Sequence, residues 1–357
     1  MTSPLAGPVE ALFEAVRSGG PDDFRAALEG IMRGTREAGP ADVQAALVRL
    51  EPMLARLPLG MGPDLAQIAG AMVDFGADPG VVLPTLVERA AGAMEQAARF
   101  AQLFRAVAGG LPDPGDLGQV AAARARFVAT APGRGMAEEE AEALVQAWFC
   151  GDAWVQPVLY LNQRRDVRAA LPQRERLLAA AGPASELLGN AAWLEGLLLV
   201  LDDEPLVVLD RGFAGTGRGF RVTIGGIGDN FQLHTLLAAA LIGDDTAAHR
   251  LPGRRPTETE IAAATDGEEL MPQGGIQGNW NLVDARGEWI WNEGRPADIP
   301  HLDGVRVVVL DPEPYPRHWT SGRPYPLMAP QLRVDEVLPP AESAAWLARC
   351  ETPARAE

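Results

Sequence analysis

The chain has 357 residues, of which 47% are hydrophobic and 22% are charged, so it is long and apolar enough for two domains with cores of their own. Its formal net charge is −17, and all 31 basic residues are arginines. The lack of lysine excludes Schiff-base catalysis and a Walker-A phosphate site, because both need a lysine side chain. The acidic balance argues against a nucleic-acid backbone or an anionic membrane surface as the main partner.

Cysteine content and hydropathy bear on the compartment in which the protein works. Cys150 and Cys350 are too few for a disulfide framework and fit a reducing compartment. Residues 1–16 contain no basic side chain, so they lack the charged start of a secretory signal. The longest apolar run, residues 233–242, has about half the length that a membrane-spanning helix needs. We therefore expect a soluble, cytoplasmic protein with no membrane partner.

The N-terminal half contains three helix starts of the same kind. In each, a glycine ends one helix, a proline enters the first turn of the next, and an aspartate is placed to cap free N–H groups at the positive end of the helix dipole. Apolar residues then repeat every three or four positions, which predicts antiparallel helical hairpins. The starts are Gly20-Pro21-Asp22-Asp23, Gly39-Pro40-Ala41-Asp42 and Gly62-Pro63-Asp64.

A longer, alanine-rich helix is predicted over residues 81–107, followed by glycine–proline breaks at 108–115 and 132–135. Further helices are expected as far as about residue 201, so that we divide this half into residues 1–131 and 132–201. Two architectures stay open, a loose array of helical hairpins of the general HEAT type and an irregular helical domain, because no strict repeat is visible.

One basic cluster interrupts the acidic sequence of the helical half. Its arginines are suited to an anionic ligand or an acidic partner surface. We favour a solvated helix face with ion pairs, because Asp166 and Glu175 lie among the arginines. The cluster consists of Arg164, Arg165, Arg168, Arg174 and Arg176.

After the helices the periodicity changes to that of strands, and we predict a small α+β module over residues 202–357 with a mostly antiparallel sheet. Residues 206–209 and 220–224 are predicted strands. Because the glycines at 212–219 join one strand to the next, a hairpin loop is favoured over a dinucleotide site, which would need a helix after the glycines. The other predicted elements are a short helix behind a capping box at Thr257 and Glu260, strands over 305–310 and 332–338, and a closing helix over 342–348.

The candidate catalytic residues lie at the start of a helix that follows the second strand. Asp229 or Asn230 is placed to cap this helix and so to occupy N–H groups that an anion would otherwise bind. His234 lies one turn later, where an imidazole beside a carboxylate or amide is suited to act as a general base. We favour a structural histidine, because the sequence offers it no paired nucleophile.

The candidate binding residues lie in a hairpin and in a stiff, proline-rich loop. Residues 280–292 fit a hairpin with three tryptophans, which either pack across strands or form a stacking platform for a sugar, base or peptide side chain. The loop over residues 311–326 lines a cleft, covers a sheet edge or packs on its own sheet. The binding candidates are Trp280, Trp291, Glu293, Arg317, His318, Trp319 and Arg323.

The sequence supports two functional hypotheses. The favoured one is a soluble binding or scaffold protein, in which the helical half meets a protein partner and the α+β module holds a peptide or small ligand. The alternative is an enzyme of undefined reaction, with its site in the module and His234 as base. No metal or cofactor is predicted, because the four histidines have no metal-ligand spacing. A covalent nucleophile is not predicted either, because no serine or cysteine lies in a nucleophile motif.

Overall fold

The computed structural model of the chain describes residues 3–211, 217–243, 251–265, 274–313, 315–320 and 323–352. The chain divides into two compact units, Met1–Leu198 and Leu199–Glu357, which we call the helical unit and the α+β unit. The predicted α+β class, with helices first and a mostly antiparallel sheet after them, is confirmed. The finer division of the helical half at residue 131 stays a prediction.

Ten α-helices make up the described part of the helical unit. In chain order they are α1 (Ala6–Ser18), α2 (Pro21–Glu37), α3 (Pro40–Leu54), α4 (Pro63–Met72), α5 (Pro79–Ala108), α6 (Val120–Val128), α7 (Glu138–Leu161), α8 (Arg165–Ala169), α9 (Arg174–Ala184) and α10 (Gly189–Leu198). The long helix predicted over 81–107 is α5. It ends at Gly109, whose φ of 74° is left-handed and therefore suits a residue without a Cβ atom.

The three Gly-Pro-Asp starts open α2, α3 and α4 where the sequence predicts, but their capping differs from the prediction. In these three helices the N-cap residues are Gly20, Gly39 and Gly62, and no side chain caps them. Because proline takes the first helical position, the N-cap is the glycine before it and the aspartate falls inside the first turn. There its charge is still favourable with the helix dipole.

The two longest helices, α5 and α7, lie at the centre of the helical unit. α5 contacts α3, α4, α7 and α9, and α7 also contacts α4, α6 and α10. Their shared core contains an aromatic cluster, in which the ring centre of Phe100 lies 5.0 Å from that of Phe127 and 5.4 Å from that of Trp148. The helices α3, α4, α6, α9 and α10 therefore pack around this central pair, whereas α1 and α2 pack against α3 and α4.

The predicted basic cluster is engaged in contacts within the helical unit. The guanidinium of Arg168 is buried and donates to the main-chain carbonyl of Gln163 at 2.7 Å. Arg176 on α9 forms ion pairs with Glu88 and Glu95 of α5. Both contacts favour a structural role for the cluster over an anion-binding one.

The α+β unit is built on a six-stranded sheet in which five strands follow the order β4-β6-β1-β2-β8, and β5 pairs with β6. Two further strands, β3 and β7, form a separate ribbon. The strands are β1 (Glu204–Asp210), β2 (Gly219–Gly225), β3 (Ile276–Gln277), β4 (Asn281–Val283), β5 (His301–Leu302), β6 (Val305–Asp311), β7 (His318–Trp319) and β8 (Gln331–Val337), and the helices are α11 (Asn230–Leu241), α12 (Glu258–Thr265) and α13 (Pro340–Leu347).

The central strands of this sheet are buried on both faces. Leu206 and Val208 of β1 join a core that includes α11. Val207 and Leu209 point the other way, into a core that includes α13. β1 pairs with β6 in parallel, and the other described ladders are antiparallel, including the predicted β1–β2 hairpin. The centre of the glycine-rich loop predicted to close that hairpin, residues 212–216, lies outside the described residues.

The predicted capping box is present at the start of α12. The N–H of Glu260 donates to Thr257 Oγ1 at 3.2 Å, and the N–H of Thr257 donates to Glu260 Oε2 at 2.8 Å. In all the described stretches, every helix is too short or too polar to cross a membrane.

The predicted tryptophan hairpin needs a correction. After the turn at 284–287 the returning segment forms a single bridge, between Val283 and Trp289, and no second strand. The N–H of Ile290 still donates to the Leu282 carbonyl at 2.9 Å. Beyond Ile290 the chain leaves β4, because the main-chain carbonyls of residues 291–294 accept hydrogen bonds from the start of α11 instead.

Candidate functional site

The start of α11 is closed by its own cap and by the segment that follows the hairpin. Asp229 is the N-cap, and its Oδ1 accepts a hydrogen bond from the N–H of Gln232 at 2.9 Å. The N–H of Asn230 donates to the Gly294 carbonyl at 2.9 Å, and that of Phe231 to the Asn292 carbonyl at 3.1 Å. The N–H groups that an anion would need are therefore already engaged.

The carboxyl group of Asp229 is buried, and burial, together with the nearby charge of Glu293, raises its pKa to about 6. Asn230 lies beside it and donates from Nδ2 to the Trp291 carbonyl at 2.8 Å. Both predicted residues thus lie at the helix start as expected. The hydrogen bonds of Asn230 and Phe231 hold the segment 291–294 against α11, whereas that of Asp229 caps the helix.

His234 lies in the interior of the α+β unit, with 1% of its surface exposed. Its ring is stacked on Trp280 with centres 5.7 Å apart, and it lies 4.7 Å from the ring of Trp319. Nε2 accepts a hydrogen bond from the N–H of Asn279 at 3.1 Å, so the proton of the neutral ring belongs on Nδ1. Burial, and secondarily the charge of Arg317, lowers the pKa of His234 to about 3.

The interior around His234 is more polar than the rest of the core. Several of its buried side-chain atoms have no hydrogen-bond partner among the described residues, and most of these atoms are donors. Buried polar groups are normally paired, so this is the least satisfied part of the described unit. The atoms are His234 Nδ1, Asn279 Nδ2, Trp280 Nε1, Trp319 Nε1, Arg317 Nε, Glu313 Oε1 and Asn230 Oδ1.

Above this interior, three side chains form a layered stack that we call the Arg–Trp ladder, made of Arg317, Trp289 and Trp291. The guanidinium carbon of Arg317 lies 5.4 Å from the ring centre of Trp289. The rings of Trp289 and Trp291 are stacked with centres 4.6 Å apart and planes 25° from parallel. Trp289 is 39% exposed and Trp291 62% exposed, whereas Trp280 is fully buried. The hairpin therefore contributes one tryptophan to the core and two to the surface.

Arg317 is fixed from the inner side of the ladder. Its Nη2 donates to the Trp280 carbonyl at 2.8 Å, and its Nε lies 3.8 Å from Glu313 Oε1. Burial raises the pKa of Glu313, and the charge of Arg317 acts in the opposite direction. The base of the ladder is thus held by a main-chain hydrogen bond and an ion pair.

A shallow, open depression of about 660 Å³ lies where the β3–β7 ribbon meets the start of α11. Gly275, with φ of 76°, allows the ribbon to approach, because a Cβ atom there would lie 2.6 Å from the Trp319 carbonyl oxygen. Trp319 is packed against Phe231 with ring centres 5.6 Å apart. The lining residues are Phe231, Gly274, Gly275, Glu293, His318, Trp319 and Thr320.

The structure thus brings most of the predicted binding residues to one region. Glu293, His318 and Trp319 line the depression, and Trp291 and Arg317 form the ladder. Arg323 donates from Nη2 to the carbonyls of its own loop, at Pro326 and Met328, which indicates a role in loop structure.

Sequence reasoning named Trp280 as a binding candidate and did not name Trp289. A signal was available in the sequence, because the apolar Ile290 lies between Trp289 and Trp291 and side chains alternate in extended chain. An apolar, β-branched residue flanked by two tryptophans therefore places both of them on the opposite face. Phe231 and Glu313 were also missed, and they lie in the site only through tertiary packing.

The described residues offer little for metal or thiol chemistry. No group of three or more His, Cys, Asp or Glu side chains in the described ranges is placed to hold a metal ion. Asp303, two positions after His301, forms an ion pair with Arg349. Burial raises the pKa of the thiols of Cys150 and Cys350, which disfavours the reactive thiolate.

Comparisons with protein-family models, with curated proteins and with solved structures found no match.

Proposed function

We propose that this chain is a binding protein, and that its α+β unit binds a peptide segment of another protein on the Arg–Trp ladder and the neighbouring depression. The proposal rests on the exposed stack of Trp289 on Trp291. Exposed aromatic patches are uncommon on proteins without partners, and tryptophan is enriched among residues that dominate binding energy.

Rigidity supports the same proposal. A side chain that is already held in place loses little conformational entropy when a partner binds. Trp289 is packed between Arg317 and Trp291, and Arg317 is itself fixed by the Trp280 carbonyl and Glu313. The ladder is therefore preorganised for a ligand that stacks on its outer face.

The alternative, an enzyme with His234 as general base, has less support. A general base must reach the proton that it removes, directly or through one water. The imidazole is enclosed by two tryptophans, and its Nε2 lone pair accepts a main-chain hydrogen bond. These contacts support a structural histidine in a binding unit.

The proposed partner is a protein or peptide, and a small ligand is the second candidate. In this proposal the helical unit serves as a scaffold surface for a protein partner. The net charge of −17 argues against a nucleic-acid partner. The two cysteines are not joined in a disulfide, which fits the proposed reducing, cytoplasmic compartment.

A peptide selection tests the proposal. Random twelve-residue peptides are selected on the full-length chain, and the affinity of each selected peptide is measured by fluorescence anisotropy. We expect the Trp289→Ala/Trp291→Ala double variant to weaken binding by at least about tenfold, as for removal of a central aromatic contact.

Trp193→Ala is the matched control, because Trp193 is 51% exposed and belongs to the helical unit. It should leave the affinities unchanged. Selection of no peptide, or of peptides that bind the double variant as well as the natural chain, would refute the proposal.

A further inference from the structure

We propose that the outer face of Trp291 receives the guanidinium group of an arginine side chain from the bound peptide, with Glu293 as its anionic partner. This inference rests on the proposed function and adds the chemistry of the ligand to it. It assigns a specific role to the outermost layer of the ladder and to a carboxylate beside it.

The order of the layers leaves one indole face available. Arg317 has a cation–π contact with Trp289, and the described structure contains no such contact between Arg317 and Trp291. The layers therefore follow the order Arg317, Trp289, Trp291, with Trp291 outermost and 62% exposed. Cations bind to tryptophan faces within about 6 Å of the ring centre, and arginine does so more often than lysine.

Glu293 lies in the same turn as Trp291. The N–H of Gly294 donates to the Trp291 carbonyl at 3.1 Å, so the turn spans residues 291–294 and includes Glu293. The Glu293 side chain is exposed and forms no ion pair with any described residue. Because the two residues belong to one turn, we infer that a guanidinium group stacked on Trp291 donates to this carboxylate, a pairing for which arginine is better shaped than lysine.

The other charges around the ladder leave this corner negative. Arg295 is paired with Asp298, and Arg317 with Glu313. Two indole layers separate Arg317 from the outer face of Trp291, and the charge of Arg317 is offset by Glu313.

Two exposed hairpin side chains, Arg286 and Glu288, carry opposite charges and balance each other. The carboxyl group of Asp229 lies close enough to Glu293 for their charges to interact. An anionic ligand would be repelled here, whereas a cation is attracted.

The test uses the peptides selected on the full-length chain. We expect arginine to be enriched among them and to be needed for binding. In a selected peptide, replacement of that arginine by citrulline, which has nearly the same shape but no charge, should weaken binding at least about tenfold. Replacement by lysine should weaken it less than citrulline does.

Glu293→Gln links the effect to its proposed partner. In this variant the preference for arginine over citrulline should shrink, because the carboxylate no longer contributes to it and only the cation–π contact with Trp291 remains. Trp291→Phe should retain more of the preference for arginine than Trp291→Ala does, because a phenyl ring still offers a face to the cation. Glu139→Gln, an equal change of charge at an exposed position of α7, is the control and should leave the preference intact.

The outcomes separate the two proposals. Peptides that need the tryptophans but bind equally well with arginine or citrulline would overturn this inference and leave the proposed function standing. The same holds if Glu293→Gln leaves the arginine preference unchanged. If no selected peptide depends on Trp289 and Trp291, the proposed function fails and this inference fails with it.

Discussion

At the level of single residues, His234 is held as a neutral ring by its burial. The pKa of its imidazole falls from 6.5 to about 3 in the folded chain, mainly through desolvation. An unfolded chain takes up a proton at this side chain below about pH 6.5, and the folded chain does not. The free energy of unfolding should therefore decrease as the pH falls through this window, by up to about 1.4 kcal/mol per pH unit.

The comparison with His234→Gln isolates this effect, since all other groups titrate in both proteins. Between about pH 7 and pH 5, the natural chain should lose about 2 kcal/mol more of its unfolding free energy than the variant does. Urea unfolding followed by tryptophan fluorescence measures the difference. An equal loss in the two proteins would mean that His234 is protonated in the folded state and open to solvent.

Asp229 acts in the opposite direction. Burial, with a smaller contribution from Glu293, raises its pKa from 3.8 to about 6, so the folded chain binds a proton more readily than the unfolded chain. The charged carboxylate therefore destabilises the fold above about pH 6, and this cost is relieved as the pH falls towards 3.8.

Asp229→Asn removes the buried charge and keeps an oxygen that can accept from the N–H of Gln232. At about pH 8 we expect it to raise the unfolding free energy by up to about 3 kcal/mol, and by much less at about pH 4. Asp229→Ala also removes the cap, and it should be about 1 kcal/mol less stable than the asparagine variant at every pH. If Asp229→Asn is less stable than the natural chain at pH 8, the helix dipole stabilises the carboxylate more than burial destabilises it.

At the level of elements, two glycines of the helical unit have opposite expected roles. Gly62 is the N-cap of α4, and a Cβ atom there would overlap the Trp154 indole, whose Nε1 donates to the Leu59 carbonyl at 2.9 Å. Gly62→Ala should therefore lower the unfolding free energy by about 1–3 kcal/mol, as overpacking in a core does.

Gly92 is the matched control, because it lies inside α5 and a Cβ atom there meets nothing within 4 Å. Gly92→Ala should raise the unfolding free energy by about 0.5–1 kcal/mol through helix propensity. Thermal unfolding measured by circular dichroism at 222 nm distinguishes the two signs. A stabilising Gly62→Ala would show that the α4 start moves freely relative to Trp154.

How far the sequence predicts an element depends on how local its determinants are. The α2–α4 starts, the α12 capping box and the β1–β2 pair were predictable, because each rests on residues a few positions apart. The return of the tryptophan hairpin was not, because hydrogen bonds to Asn230 and Phe231 draw that segment away from β4. Those partners lie about sixty positions earlier in the chain, and no local pattern encodes them.

The candidate site divides in the same way. The sequence singled out the region after residue 280 by its tryptophans and its proline-rich loop, and these residues do meet. It did not predict that Trp280 and His234 pack together in the interior, since a tryptophan suits a core and a surface equally well. The Trp289-Ile290-Trp291 pattern was the local signal for the outer face of the hairpin, and the burial of Ile290 agrees with it.

At the level of the whole molecule, each unit has the means to fold by itself. The helical unit has one continuous apolar core around α5 and α7. In the α+β unit, the two faces of one sheet carry separate cores, one with α11 and one with α13. A core of its own is the physical criterion for an independent domain.

We therefore predict that residues 1–198 and 199–357, expressed as separate chains, each fold cooperatively. The first should give a helical circular-dichroism spectrum, and the second a mixed one with strong near-ultraviolet signals from its packed tryptophans. The sum of the two far-ultraviolet spectra should reproduce that of the intact chain.

Gly62→Ala should also lower the unfolding midpoint of the 1–198 chain, because the Trp154 indole that its Cβ atom would overlap lies within that unit. If residues 199–357 form an expanded state without near-ultraviolet signal, the α+β unit depends on the helical unit for its packing. The Arg–Trp ladder would then form only in the full-length protein.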